Sequence, residues 1–117
     1  MPDFEPQEFR DVADQVRDIA EVPAVEVITT TAVHLMSAAA VQCGLGEDGH
    51  QADLDEARKL INALAGLLTA AAPDLGDHHA RPLRDGLRSL QLAFREASAI
   101  KDAPGQGPGE KYTGPVN

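Results

Sequence analysis

Charge is missing from one long stretch of this chain. Val27 to Gly46 contains no Asp, Glu, Lys or Arg, although those residues make up 25% of the sequence and leave a net charge of -9. His34 is the one side chain in the run able to become charged near neutral pH. A segment so free of charge must be hidden in a core, a partner interface or a bilayer. Aromatic residues are also scarce, at 3% with no Trp. The core must therefore be built from Leu, Val, Ile and Ala, a composition that favours packed helices over a sandwich or barrel. The only cysteine, Cys43, excludes an intrachain disulfide and suits a reducing, cytoplasmic setting. Met1 to Arg10 shows no basic region followed by an apolar run, so no secretory leader is expected. The sequence has no G-x-S-x-G, phosphate-binding Gly loop, C-x-x-C or H-E-x-x-H. No cofactor is expected.

At 117 residues the chain holds one domain with a small core. Nineteen acids against ten bases disfavour direct contact with nucleic acid or an anionic membrane surface. They leave a basic protein or a large complex as a plausible partner, because complementary charge steers encounter. The plainest reading of the acidic balance is solubility.

What is present is helical periodicity. Leu54, Ala57, Ile61, Leu64, Leu68, Ala71 and Leu75 alternate three- and four-residue spacings without a break. Val25, Ile28, Ala32, Leu35 and Ala39 follow the pattern more loosely, and Leu83, Leu87, Leu90, Phe94 and Ala97 repeat it. Phe9, Val12, Val16 and Ile19 mark a weaker, amphipathic cover helix. The reading is an all-α bundle with heptad-like helices over about 7–21, 23–43, 53–72 and 77–99. Residues 1–22 form the N-terminal cover helix and extension, 23–100 the helical core domain, and 101–117 a tail. The punctuation agrees. Pro23 suits a first helical position, and Gly44 a stop. Asp53 and Glu56 read as a capping box, Pro73 and Gly76 as a break, and Asp77 as a cap. Pro82 threatens to delay or bend the last helix, and Gly86 weakens it by about 1 kcal/mol relative to Ala if exposed. The tail, DAPGQGPGEKYTGPVN, has almost no apolar anchor and is expected to be disordered in isolation, with Tyr112 its one docking group.

Thr29, Thr30, Thr31, His34, Ser37 and Gln42 interrupt the uncharged run, and no Lys or Arg flanks it closely, so a transmembrane span is disfavoured. The favoured reading is a central helix with one face left for a second copy; the alternative is burial within its own chain or by a different partner. Its homodimer contacts would be Ile28, Ala32, Leu35, Met36, Ala39 and Ala40, with the alanines allowing close backbone approach. If His34 faces that partner, association depends on pH. His34 and Cys43 are two and a half turns apart, too far for a shared metal or a nucleophile–base pair. His78 and His79 are adjacent and so do not share a helix face; with Asp74 and Asp77 nearby they offer at most a weak metal site. His50 lies in an acidic loop that lacks the EF-hand order. Arg81, Arg84, Arg88 and Arg95 fit one stripe, a solvated face or a contact for an acidic surface or RNA.

Several of these residues together resemble a family. Leu45-Gly46, then Asp53, Leu54, Ala57, Arg58, Ile61, Asn62 and Leu64, then Leu87, Leu90 and Phe94 resemble the pattern of short bacterial proteins catalogued as domain of unknown function number eighteen forty-four. The resemblance covers about Val25 to Ala97, and the middle helix is its specific part. Asn62 stands where the family tends to Asp, and Thr69-Ala70 where it tends to Lys-Thr. The resemblance implies a small cytoplasmic helical protein without assigned activity, and a link to translation through gene neighbourhood. The functional expectation is a non-enzymatic, homo-oligomeric interaction module serving a larger assembly. The alternative is a metal-binding protein or enzyme using His34 or the His78/His79 region.

Overall fold

A computed structural model of the chain describes residues 20–46 and 49–117. Three long helices, α1 (Ala24–Gln42), α2 (Leu54–Leu75) and α3 (Asp77–Ala97), pack together, and a single turn, α4 (Glu110–Thr113), follows in the C-terminal segment. No strand occurs among the described residues. The helical bundle expected from periodicity is therefore the fold. The cover helix expected over 7–21 lies, apart from its last two residues, outside the described residues.

Each helix begins and ends for a local reason. Pro23 sits one residue before α1 in an extended conformation, so it precedes rather than opens the helix. At the other end Cys43 and Gly44 form a Schellman stop. The Leu45 N–H reaches the Ala40 carbonyl at 3.0 Å and the Gly44 N–H reaches Val41 at 3.0 Å. This geometry places Gly44 at φ +86°, which only glycine adopts without strain. Asp53 caps α2 by accepting the Glu56 N–H at 3.2 Å. The capping box is half made, because the Glu56 carboxylate turns to Lys59 at 2.8 Å and the Asp53 N–H donates to Gln42. That last bond, at 2.7 Å, ties the α1–α2 loop shut.

The two internal prolines do less than their positions suggest. α2 continues through Pro73 to Leu75, and α3 starts at Asp77 with Pro82 inside it. Each proline removes one helical hydrogen bond near an end of its helix, and packing of Leu75 and Leu83 holds the turn. Gly76, not Asp77, makes the junction, and Asp77 forms no side-chain cap there. Gly86 also has a packing role, because a Cβ at this point of α3 would collide with the Met36 side chain of α1.

The core is aliphatic with one aromatic ring. Ile61, Leu64, Ala57 and Ala65 from α2 are fully enclosed between Ala32, Ala39 and Cys43 of α1 and Leu83, Leu87, Leu90 and Phe94 of α3. Of the three long helices, α2 is the central one, and it carries the most regular apolar repeat.

The tail differs from expectation. Residues 101–117 are folded against α2 and α3, and Val116 and Glu110 are only 6% and 8% exposed. Counting apolar residues predicted disorder; polar anchors produce order instead. The Arg58 guanidinium grips both oxygens of Asp102, at 3.1 and 3.0 Å, while lying 5.0 Å from the centre of the Phe94 ring. Asn62 accepts the Gly109 N–H at 2.7 Å, and Gln91 donates to the Pro108 carbonyl and the Thr113 hydroxyl, each at 3.1 Å. The Glu110 carboxylate accepts three backbone N–H groups, from Gly105, Gly107 and Val116. Gly109 takes φ +75° at the point where the chain passes closest to Ala65 and Gln91.

Candidate functional site

α1 buries a narrow strip and leaves the rest uncovered by the described residues. Ala32 and Ala39 have no exposed surface, and Cys43 is buried beside them. Ile28, Leu35, Met36 and Ala40 are half-buried and pack on the same core. These residues were expected to meet a second copy. In the fold they pack on the chain's own core: Ala32 and Ala39 are enclosed, and Ile28, Leu35, Met36 and Ala40 keep part of their surface exposed. The more exposed surface of α1 is its outer face.

That outer face carries Val27, Thr30, Val33, His34 and Ser37. Val27 is 40% and Val33 51% exposed. Glu26 at its N-terminal end is the one ionised group α1 contributes. Beside this face, two threonines of α1 turn their hydroxyls back to the helix: Thr29 donates to the Glu26 carbonyl and Thr31 to that of Val27, at 3.2 and 2.8 Å, so each satisfies its donor locally. By length and composition alone α1 would also be apolar enough to cross a membrane. A soluble core helix passes the same test.

The candidate chemistry does not assemble. His34 is exposed and Cys43 is buried, so the two do not meet. Burial pushes the Cys43 thiol above its ordinary value, the reverse of what activates a cysteine nucleophile. His78 and His79 are exposed with their rings edge to face at 5.3 Å. Among the described residues no group of three His, Cys, Asp or Glu side chains is placed to hold a metal ion. The His50 ring nitrogen Nε2 lies 3.0 Å from Gln42 Oε1, bracing the loop after α1.

The arginine stripe divides. Arg95 donates to the Asp102 carbonyl at 3.2 Å and Arg88 to the Asn117 main-chain oxygen at 3.3 Å, so both help hold the C-terminal segment. Arg81 and Arg84 are exposed and form no hydrogen bond or ion pair among the described residues. Tyr112 is 43% exposed. It lies over Gly66 of α2, where the missing side chain admits its ring: a Cβ there would stand 3.2 Å from the phenol oxygen. The sequence singled out Tyr112 as a docking group for a partner, but the surface it rests on is its own α2.

Of the groups that hold the C-terminal segment, Asn62 stood out in the sequence only as a departure from the family's Asp, and Gln91, Asp102 and Glu110 carried no motif. A family model described as Domain of unknown function (DUF1844) matches residues 24–96. The match takes in α1, α2 and nearly all of α3 and leaves out the C-terminal segment. No curated protein and no solved structure matches the chain.

Proposed function

The chain belongs to the DUF1844 family, and we propose that it is a non-enzymatic helical module that acts by contact, pairing with a second copy through the outer face of α1. One observation carries this reading: the outer face of α1 from Glu26 to Ser37 is exposed yet, Glu26 apart, uncharged. Two molecules of net charge -9 repel each other over most of their surfaces. At physiological salt that repulsion extends about 8 Å from each charge. The outer face of α1 is where two copies approach with least repulsion. Its 19 residues make a strip roughly 28 Å long. One such strip covers on the order of 400 Å² per copy, half of a standard interface, which places the pairing among weak, transient contacts.

The test is mass by sedimentation or light scattering across a micromolar concentration series. The native chain is expected to move from monomer to dimer, and the Val33→Glu chain, carrying a charge at the middle of the strip, to stay monomeric. A native chain that remains monomeric at 200 μM (a concentration chosen well above a micromolar Kd) overturns the pairing. A wider role, as an accessory factor in a larger cytoplasmic assembly linked to translation, is supported only by the contact character of this surface. Affinity capture from the native host, native chain against Val33→Glu, tests it: the assembly should be lost from the variant.

A further inference from the structure

On a surface to which α1 contributes nothing, α2, α3 and the C-terminal segment enclose an open groove of about 620 Å³. Its floor is apolar, from Leu68, Ala72, Leu87 and Val116. Arg84 and Arg88 stand along it, with Thr69 and Tyr112 on the opposite side. The volume is that of a small-molecule site, and an apolar floor with a few convergent polar groups is the usual composition of one.

The charges give the ligand its sign. In this acidic protein Arg58 and Lys59 are each paired with a carboxylate. Arg84 has no partner among the described residues, and Arg88 spends one N–H on the Asn117 main-chain oxygen. A guanidinium carries five donors in a planar fork, so both residues keep most of their capacity for an anion. They are one helical turn apart on α3, which aligns the two forks on one edge of the groove. Asp77 also lines the groove, so its wall is not uniformly positive and a polyanion is disfavoured. We propose that this groove binds a small anion with an apolar body, its carboxylate or phosphate held by Arg84 and Arg88 and its body on Leu68, Leu87 and Val116.

The C-terminal segment supplies one wall, so the site exists only while that segment is docked. Gly66 and Glu110 then have a functional consequence. Gly66 lets Tyr112 close against α2, and the Glu110 carboxylate holds the backbone around Val116 in place.

The experiment uses the full chain and 8-anilino-1-naphthalenesulfonate, an anion on an apolar body, read by fluorescence. The expected result is saturable one-to-one binding that weakens at least tenfold in the Arg84→Gln/Arg88→Gln chain and is unchanged in the Val33→Glu chain. Both arginines are exposed, so circular dichroism of the double variant should match the native spectrum. Competition separates the sources: displacement by octanoate marks a carboxylate with an aliphatic body, and displacement by inorganic phosphate marks a phosphate headgroup. Equal binding by the double variant overturns the proposal. So does equally tight binding of the uncharged N-phenyl-1-naphthylamine, or displacement by neither competitor. The outcome is independent of whether the chain dimerises through α1.

Discussion

Replacing Glu110 with Gln changes one atom and tests what holds the C-terminal segment down. In the native chain Oε1 accepts the Gly105 and Gly107 N–H groups, both at 3.0 Å, and Oε2 accepts Val116 at 3.1 Å. A hydrogen bond to an ionised acceptor contributes about 1.5–3 kcal/mol net. The amide of Gln keeps one oxygen for the two glycines but presents an N–H to the Val116 N–H. One bond is lost outright and two fall from charge-assisted to neutral strength. Together these cost about 3 kcal/mol. Ile61 and Leu64 are fully buried residues of α2 and take no part in these hydrogen bonds, so the loss should be local. At about 1.4 kcal/mol per tenfold, the segment opens about a hundred times more often. Amide hydrogen exchange reads this directly. Gly107 and Val116 should lose about two orders of magnitude of protection while Ile61 and Leu64 keep theirs. Undiminished protection at Val116 would show that the carboxylate does not anchor the segment. An equal loss at Ile61 would show that the segment and the core unfold as one unit.

Two further outcomes follow from the same geometry. Gly109→Ala should cost about 2–4 kcal/mol, from a left-handed backbone that Ala resists and from overpacking. Its Cβ would stand 2.9 Å from that of Ala65 and 3.0 Å from Gln91 Nε2. Chemical denaturation, or exchange at Val116, measures the loss. The Cys43 thiol, raised by burial, ionises more readily in the unfolded chain. Its contribution is fully present below the ordinary thiol value of about 8.5 and is lost as pH rises through the higher folded value. The native chain should therefore lose stability relative to Cys43→Ala between neutral pH and pH 10, seen as a falling difference in urea midpoints. A constant difference would contradict the burial argument.

The shift in the α1 surface shows where periodicity runs out. The repeat through Ile28, Ala32, Leu35 and Ala39 correctly marks an apolar stripe, but a stripe does not name what covers it. In the fold α2 and α3 cover it. The residues it leaves exposed are those between its repeats: Val27, Thr30, Val33 and Ser37. The groove was less legible still. Arg84 and Arg88 stood in a recognised arginine stripe, but the floor and the facing wall come from three segments, and one of these was expected to be disordered.

Local chemistry set by the sequence alone determined the three long helices, the glycine stop after α1, the Asp53 cap and the enclosed row of α2. Each depends on residues within about one or two turns of one another, and such interactions follow from spacing. The tertiary structure decided the C-terminal segment. Its anchors join Arg58 to Asp102, Asn62 to Gly109 and Gln91 to Pro108, across sequence separations of 44, 47 and 17 residues. Glycine freed its backbone to turn, and apart from the Glu110 carboxylate, which bonds within the segment, these anchors have their partners far away in sequence. The partners appear only when α2 and α3 lie side by side, and with them come both the order of the segment and the groove it completes.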